Sequence, residues 1–85
     1  MNVTIDCSQI KTREDLHRIF SDTLSFPVWY GKNLDALHDC LMDIQGELRL
    51  LDWESAEANL GKYGMAAKKA IAAAAFENRE LEIIF

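Results

Sequence analysis

The chain has 85 residues, 49% of them hydrophobic and 27% charged, the composition of a soluble folded protein rather than a disordered one and enough for one small core. Its 14 acidic and 9 basic residues give a formal net charge of −5; this argues against direct nucleic-acid binding, where a basic face supplies most of the affinity, and favours a basic partner met by fast, salt-sensitive association. No apolar run approaches the roughly 20 residues that span a bilayer, and the start, Met1-Asn2-Val3-Thr4-Ile5-Asp6, lacks the basic and apolar regions of a signal peptide, so a cytoplasmic location is expected.

Residues 2–7 alternate, with Val3 and Ile5 on one side, and read as a strand. Thr12 is a good N-cap, with Asp15 three residues on to complete a capping box. The helix that follows carries Leu16, Ile19, Phe20, Thr23 and Leu24 in one stripe and should end near Ser25, because Pro27 disfavours helical geometry at Phe26. Here His17 reads as a half-exposed helix residue. Residues 26–32 form a loop in which Gly31 is expected to permit a turn that other residues resist. Asn33 then caps a second helix reaching about residue 44.

Residues 47–52 read as a second strand, and Asp52 can cap a short helix over Trp53–Leu60 that Gly61 stops. A further helix over about 65–76 is rich in alanine, the best helix former, whose small size lets it lie close to a neighbour. Residues 81–85 form the last strand. Strands joined by helical crossovers lie parallel, so the order predicts an α/β fold: a single domain over 1–85, with a three-stranded parallel sheet covered by about four helices. Cys7 and Cys40 read as free thiols, Cys40 behaving as a small buried hydrophobe.

The second helix is the informative surface. At about 100° per residue, Leu34, Leu37, Leu41 and Ile44 fall on one core-facing arc with Cys40 beside it. Asp35, His38, Asp39 and Met42 fall on another arc, to one side of that stripe. A plain solvated face would look similar, and Asp35, in the first turn, complements the helix dipole. Asp39 and Asp43 oppose it, and Asp35–Asp39 and Asp39–Asp43 are like-charge pairs that each cost roughly 0.2–0.5 kcal/mol in an isolated helix. Selection for stability alone would place lysine or arginine there; a basic partner would relieve the repulsion. Trp29 and Tyr30 in the preceding loop are of the type that anchors protein interfaces. Either or both can instead fill the core, and Trp29 is the better candidate for exposure.

The stretch Phe26-Pro27-Val28-Trp29-Tyr30-Gly31-Lys32-Asn33-Leu34-Asp35-Ala36-Leu37-His38-Asp39-Cys40-Leu41 resembles the barstar family, intracellular inhibitors of barnase-like ribonucleases. The similarity is dense from Pro27 to Leu41 and looser elsewhere, where Asp15-Leu16-His17 and the apolar final strand also fit. It implies a three-stranded parallel α/β domain without enzymatic activity or cofactor, which plugs the active site of a small basic ribonuclease at one-to-one stoichiometry. By resemblance Asp35 and Asp39 mimic RNA phosphates, and Trp29 takes the place of an interface tyrosine. Tyr30, Gly31 and Asn33 belong to the same loop and helix start, and His38 and Met42 complete the candidate partner-binding set.

Three departures stand out: His38 replaces a tryptophan, Lys32 replaces an acidic residue, and the helix around residues 72–74 lacks the family's acidic rim residue, with Glu77 as its candidate substitute. They leave the inhibitor class intact and open the choice of enzyme, including the ribonuclease domain of a contact-dependent toxin, for which this chain would be the immunity protein. Two other readings stand beside this one. The acidic helix could dock a basic protein that is not a nuclease. Alternatively, Asp35, His38 and Asp39, at i, i+3 and i+4, could share a metal ion. Against the latter, the chain holds only two histidines, with His17 on another helix, and no catalytic triad, P-loop or G-x-G-x-x-G motif.

Overall fold

In the computed structural model, which describes residues 1–85, three strands form one parallel sheet in the order β1-β2-β3: β1 Asn2–Asp6, β2 Gly46–Leu51 and β3 Leu81–Ile84. Ile5 pairs with Leu50 and Leu48 with Ile83. Helices α1 (Arg13–Leu24) and α2 (Leu34–Leu41) cross from β1 to β2, and α3 (Trp53–Leu60) and α4 (Lys62–Glu77) from β2 to β3. The expected α/β class is thus borne out. Only one sheet face is covered: Leu48 and Leu50 are buried, whereas Arg49 and Leu51 between and beyond them are exposed. That alternation is unusual for a parallel sheet, which is more often buried on both faces.

Local chemistry sets the helix ends. The capping box forms as expected: Thr12 Oγ1 accepts from Asp15 N at 3.1 Å, and the Asp15 carboxylate accepts from Thr12 N at 3.2 Å. Ser25 ends α1 in the left-handed region at φ 56°. Asn33 caps α2 by accepting from Ala36 N at 2.8 Å.

Several expectations need correction. Cys7 leaves the first strand and begins a short 3-10 turn that Asp6 caps. Helix α2 ends at Leu41, not near 44, because Asn78 beyond α4 donates its amide N–H groups to the carbonyls of Leu41, at 3.1 Å, and Ile44, at 2.8 Å. A long-range partner there satisfies carbonyls that one more helical turn would have used. Asp52 starts α3 without a side-chain cap to the backbone; its φ is 56° and its carboxylate accepts from Ser55 Oγ at 2.8 Å. Helix α4 begins three residues before the expected 65, since Gly61, at φ 60°, both ends α3 and opens α4. Of the alanine run, Ala74 packs into the core while Ala72 and Ala73 are exposed.

Candidate protein-binding face

The loop before α2 and the exposed side of α2 form one continuous surface. Its backbone differs from expectation at the turn: the left-handed residue is Lys32, at φ 53°, not Gly31. What Gly31 supplies is room, since a Cβ there would lie 3.2 Å from Asn33 Nδ2 and 3.4 Å from the Ala36 Cβ. Gly31 O also accepts from Asn33 Nδ2 at 3.3 Å, so the helix cap and the loop are tied together.

Trp29 and Tyr30 divide between surface and core. Trp29 is 78% exposed, whereas Tyr30 is 7% exposed. A tight turn, in which Tyr30 N donates to Pro27 O at 2.9 Å, leaves Val28 and Trp29 on the outside, and Tyr30 stacks at a tilt on Phe26, ring centroids 4.9 Å apart. Tyr30, expected among the partner-binding residues, is therefore an internal support of the loop.

His17 explains why it points inward. This histidine is buried, not half-exposed, with Nδ1 2.6 Å from the Tyr30 hydroxyl and Nε2 2.7 Å from the Tyr63 hydroxyl. In the neutral ring one nitrogen donates and the other accepts, so one tyrosine hydroxyl accepts from the ring and the other donates to it. Burial holds the imidazole below its ordinary pKa, and the positive charges of Arg13 and Lys32 add to the effect. Burial likewise raises the Tyr30 phenol, with smaller contributions from Cys40 and Tyr63.

On α2, Asp35 and Asp39 are exposed, and the Asp39 side chain is 83% accessible. No ion pair of the structure involves Asp35 or Asp43. Met42 is half-buried and packs against the core, so only its edge reaches the face.

His38 bridges two helices: Nε2 lies 2.7 Å from Glu77 Oε2 on α4, and Nδ1 3.4 Å from Asp39 Oδ1. The hydrogen bond to Glu77 raises the His38 pKa; desolvation opposes this, and Asp39 adds to the rise. Glu77 thereby joins Asp35 and Asp39 along the same side of the molecule. Sequence spacing within α2 gave no sign of that contact, which spans 39 positions. No group of three or more potential metal ligands comes together. Cys7 is fully buried, its thiol pushed up to about 12 by burial first and then by Asp6 and Asp52; Cys40 is only half-buried, against expectation, and both are free thiols.

An exposed acidic helix joined to a glycine-containing aromatic loop, on a one-faced parallel sheet of three strands, is the arrangement that the family resemblance implies. A family model described as "Barstar (barnase inhibitor)" matches residues 1–84. The chain belongs to the barstar family. It is also 41% identical over 64 residues to the Bacillus subtilis (strain 168) protein named "Putative ribonuclease inhibitor YrdF", an alignment covering 72% of this chain and 70% of that protein. Membership in the barstar family makes the chain an inhibitor of the barnase-inhibitor kind and not an enzyme. No helix is long and apolar enough to cross a membrane.

Proposed function

We propose that this chain acts inside the producing cell as a stoichiometric inhibitor of a small basic ribonuclease, laying α2 and the preceding loop into the enzyme's active site. A ribonuclease cleft is lined by cationic groups that hold RNA phosphates, and rigid carboxylates placed on a helix can occupy those positions. The observation that carries the reading is the exposure of Asp35 and Asp39 on the helix of the family motif, without a lysine or arginine of the chain to neutralise them. Trp29 supplies an exposed aromatic anchor beside them, while Asn33 and Gly31 fix the angle between loop and helix. His38 and the edge of Met42 lie within the footprint, and Glu77 stands in for the acidic rim residue that α4 lacks at 72–74. The altered rim suits an enzyme other than barnase itself, such as the ribonuclease domain of a contact-dependent toxin, and the chain would then be its immunity protein.

The test is a titration of the chain into a panel of small basic microbial ribonucleases, including any encoded beside its gene, with RNA cleavage as the readout. Complete inhibition near one equivalent is the expected result. Asp39→Ala should keep the wild-type melting behaviour and weaken inhibition. Barnase–barstar is itself a reference system for charged hot spots and steered association, so the size expected here is the general one for a buried charged contact, roughly a hundredfold or more. Wild-type potency in that variant would remove Asp39 from the mechanism. Failure to inhibit any member, with capture of basic proteins that lack nuclease activity, would favour a docking module of another kind.

A further inference from the structure

His38 is the one basic side chain that touches the carboxylates of the binding face. Its ring lies between two of them, held by different elements: Nε2 is 2.7 Å from Glu77 Oε2 on α4, and Nδ1 is 3.4 Å from Asp39 Oδ1 on α2. These two are the charged groups that face it, since Asp35, one turn earlier on α2, makes no bond to it. A neutral imidazole carries one N–H and donates to one carboxylate only, whereas the imidazolium donates from both nitrogens. Holding Glu77 and Asp39 together therefore requires the proton. The shorter contact has the length of a charge-assisted hydrogen bond; the longer one acts chiefly through charge. A lysine or arginine here would neutralise the two acids at every pH, and a histidine does so only while protonated.

We propose that His38 is an internal counter-ion of the binding face: protonated, it holds Asp39 and Glu77, and it gives up its proton when a cationic partner takes those two carboxylates. The inference rests on the reading of this face as the surface that meets a basic ribonuclease, and it adds that forming the complex releases a proton. Three effects of docking act in the same direction. The partner's positive charges repel an imidazolium. The His38 side chain, 26% accessible in the free chain, loses its remaining water, which disfavours the charged form. The carboxylates that favour that form are drawn to the partner's cations instead. The neutral ring is then the bound form. In the free chain the bond to Glu77 first, and Asp39 after it, hold the proton more firmly than in an unperturbed histidine, with desolvation opposing them. By linkage, affinity for the partner rises as the pH climbs through that titration.

The experiment is a series from about pH 6 to 8.5 of inhibition and titration calorimetry, with wild type and His38→Gln measured against the same small basic ribonuclease. Glutamine keeps an N–H donor for Glu77 and takes up no proton, so the difference between the two proteins removes the enzyme's own titrating groups. Relative to His38→Gln, wild-type affinity is expected to rise by about five- to tenfold between pH 6 and 8. Calorimetry in phosphate and in Tris, whose ionisation enthalpies differ, should show more proton release on binding for the wild type than for His38→Gln. Glu77→Gln removes the stronger partner of the imidazole and should move the step in affinity to lower pH. In the free chain, the carboxyl ¹³C shifts of Glu77 and Asp39 should each show a step at the midpoint of the His38 titration.

An affinity that varies with pH in the same way for wild type and His38→Gln would overturn the proposal and leave the inhibitor standing. So would a His38-dependent affinity that falls as the pH rises, or the absence of a step at Glu77 in the free chain. Inhibition of no ribonuclease at any pH of the series would remove the functional reading, and the proton release with it.

Discussion

His17 shows how one side chain can couple the core to the binding loop. Both of its ring nitrogens are engaged by tyrosine hydroxyls, one from the loop and one from α4, so the loop carrying Trp29 is held by a buried polar contact. Because burial depresses the imidazole pKa in the folded state, the unfolded chain takes up a proton near its ordinary value of about 6.5 before the folded one does. Stability is then full above that pH and falls as the pH drops toward the folded value. Urea melts between pH 8 and 5 should show this loss in the wild type, and His17→Gln should flatten it over the same window. His38 has the opposite sign. Its pKa is raised, chiefly by Glu77, so its contribution is full below about 6.5 and fades as the pH rises through the folded value. Glu77→Gln should move the His38 titration, read from its imidazole protons by NMR, back down; an unchanged midpoint would mean that the 2.7 Å contact does not persist in solution.

Helix placement rests on a few close approaches. At Gly64 in α4 an added Cβ would meet Glu57 of α3, 2.8 Å from its Cα and 2.9 Å from its carbonyl oxygen, both backbone atoms that cannot swing aside. Gly64→Ala would gain up to about 1 kcal/mol in helix propensity, yet forcing the two helices apart costs roughly 1–3 kcal/mol. Thermal and urea denaturation should therefore show a net loss of stability despite the better helix former. The end of α2 is likewise decided by its neighbour. Asn78 takes over the carbonyls of Leu41 and Ile44, which leaves Asp43 outside the helix. Helix starts were legible in the sequence wherever a polar cap acts over three residues, as at Thr12 and Asn33. At Asp52 the expected start of α3 at Trp53 also holds, although its carboxylate turns to Ser55 and not to the backbone; the start at Lys62 was not legible, because the left-handed Gly61 begins α4 without any side-chain cap.

As a whole the molecule carries a net charge of −5, to which Asp35 and Asp39 on α2 and Glu77 at the end of α4 contribute. Association with a cationic enzyme should be steered by that field, so the on-rate should fall by roughly tenfold or more between low and high salt while the off-rate changes little. A stopped-flow series in sodium chloride checks this, and a salt-independent on-rate would argue that docking is governed by Trp29 and apolar contact instead. Composition alone fixed the sign of that charge, and local periodicity, caps and the motif from Pro27 to Leu41 were enough to set the order of elements, the parallel sheet and the family. These are properties of neighbouring residues, carried by hydrogen bonds and hydrophobic stripes within a few positions of one another. Tertiary structure alone decided that His17 lies between two tyrosines, that Tyr30 turns inward, that Glu77 reaches His38, and that α2 stops at Leu41 against Asn78. The reason is one of range: those contacts join residues up to 46 positions apart, and a histidine beside an apolar stripe looks the same in sequence whether water or a tyrosine hydroxyl meets its ring.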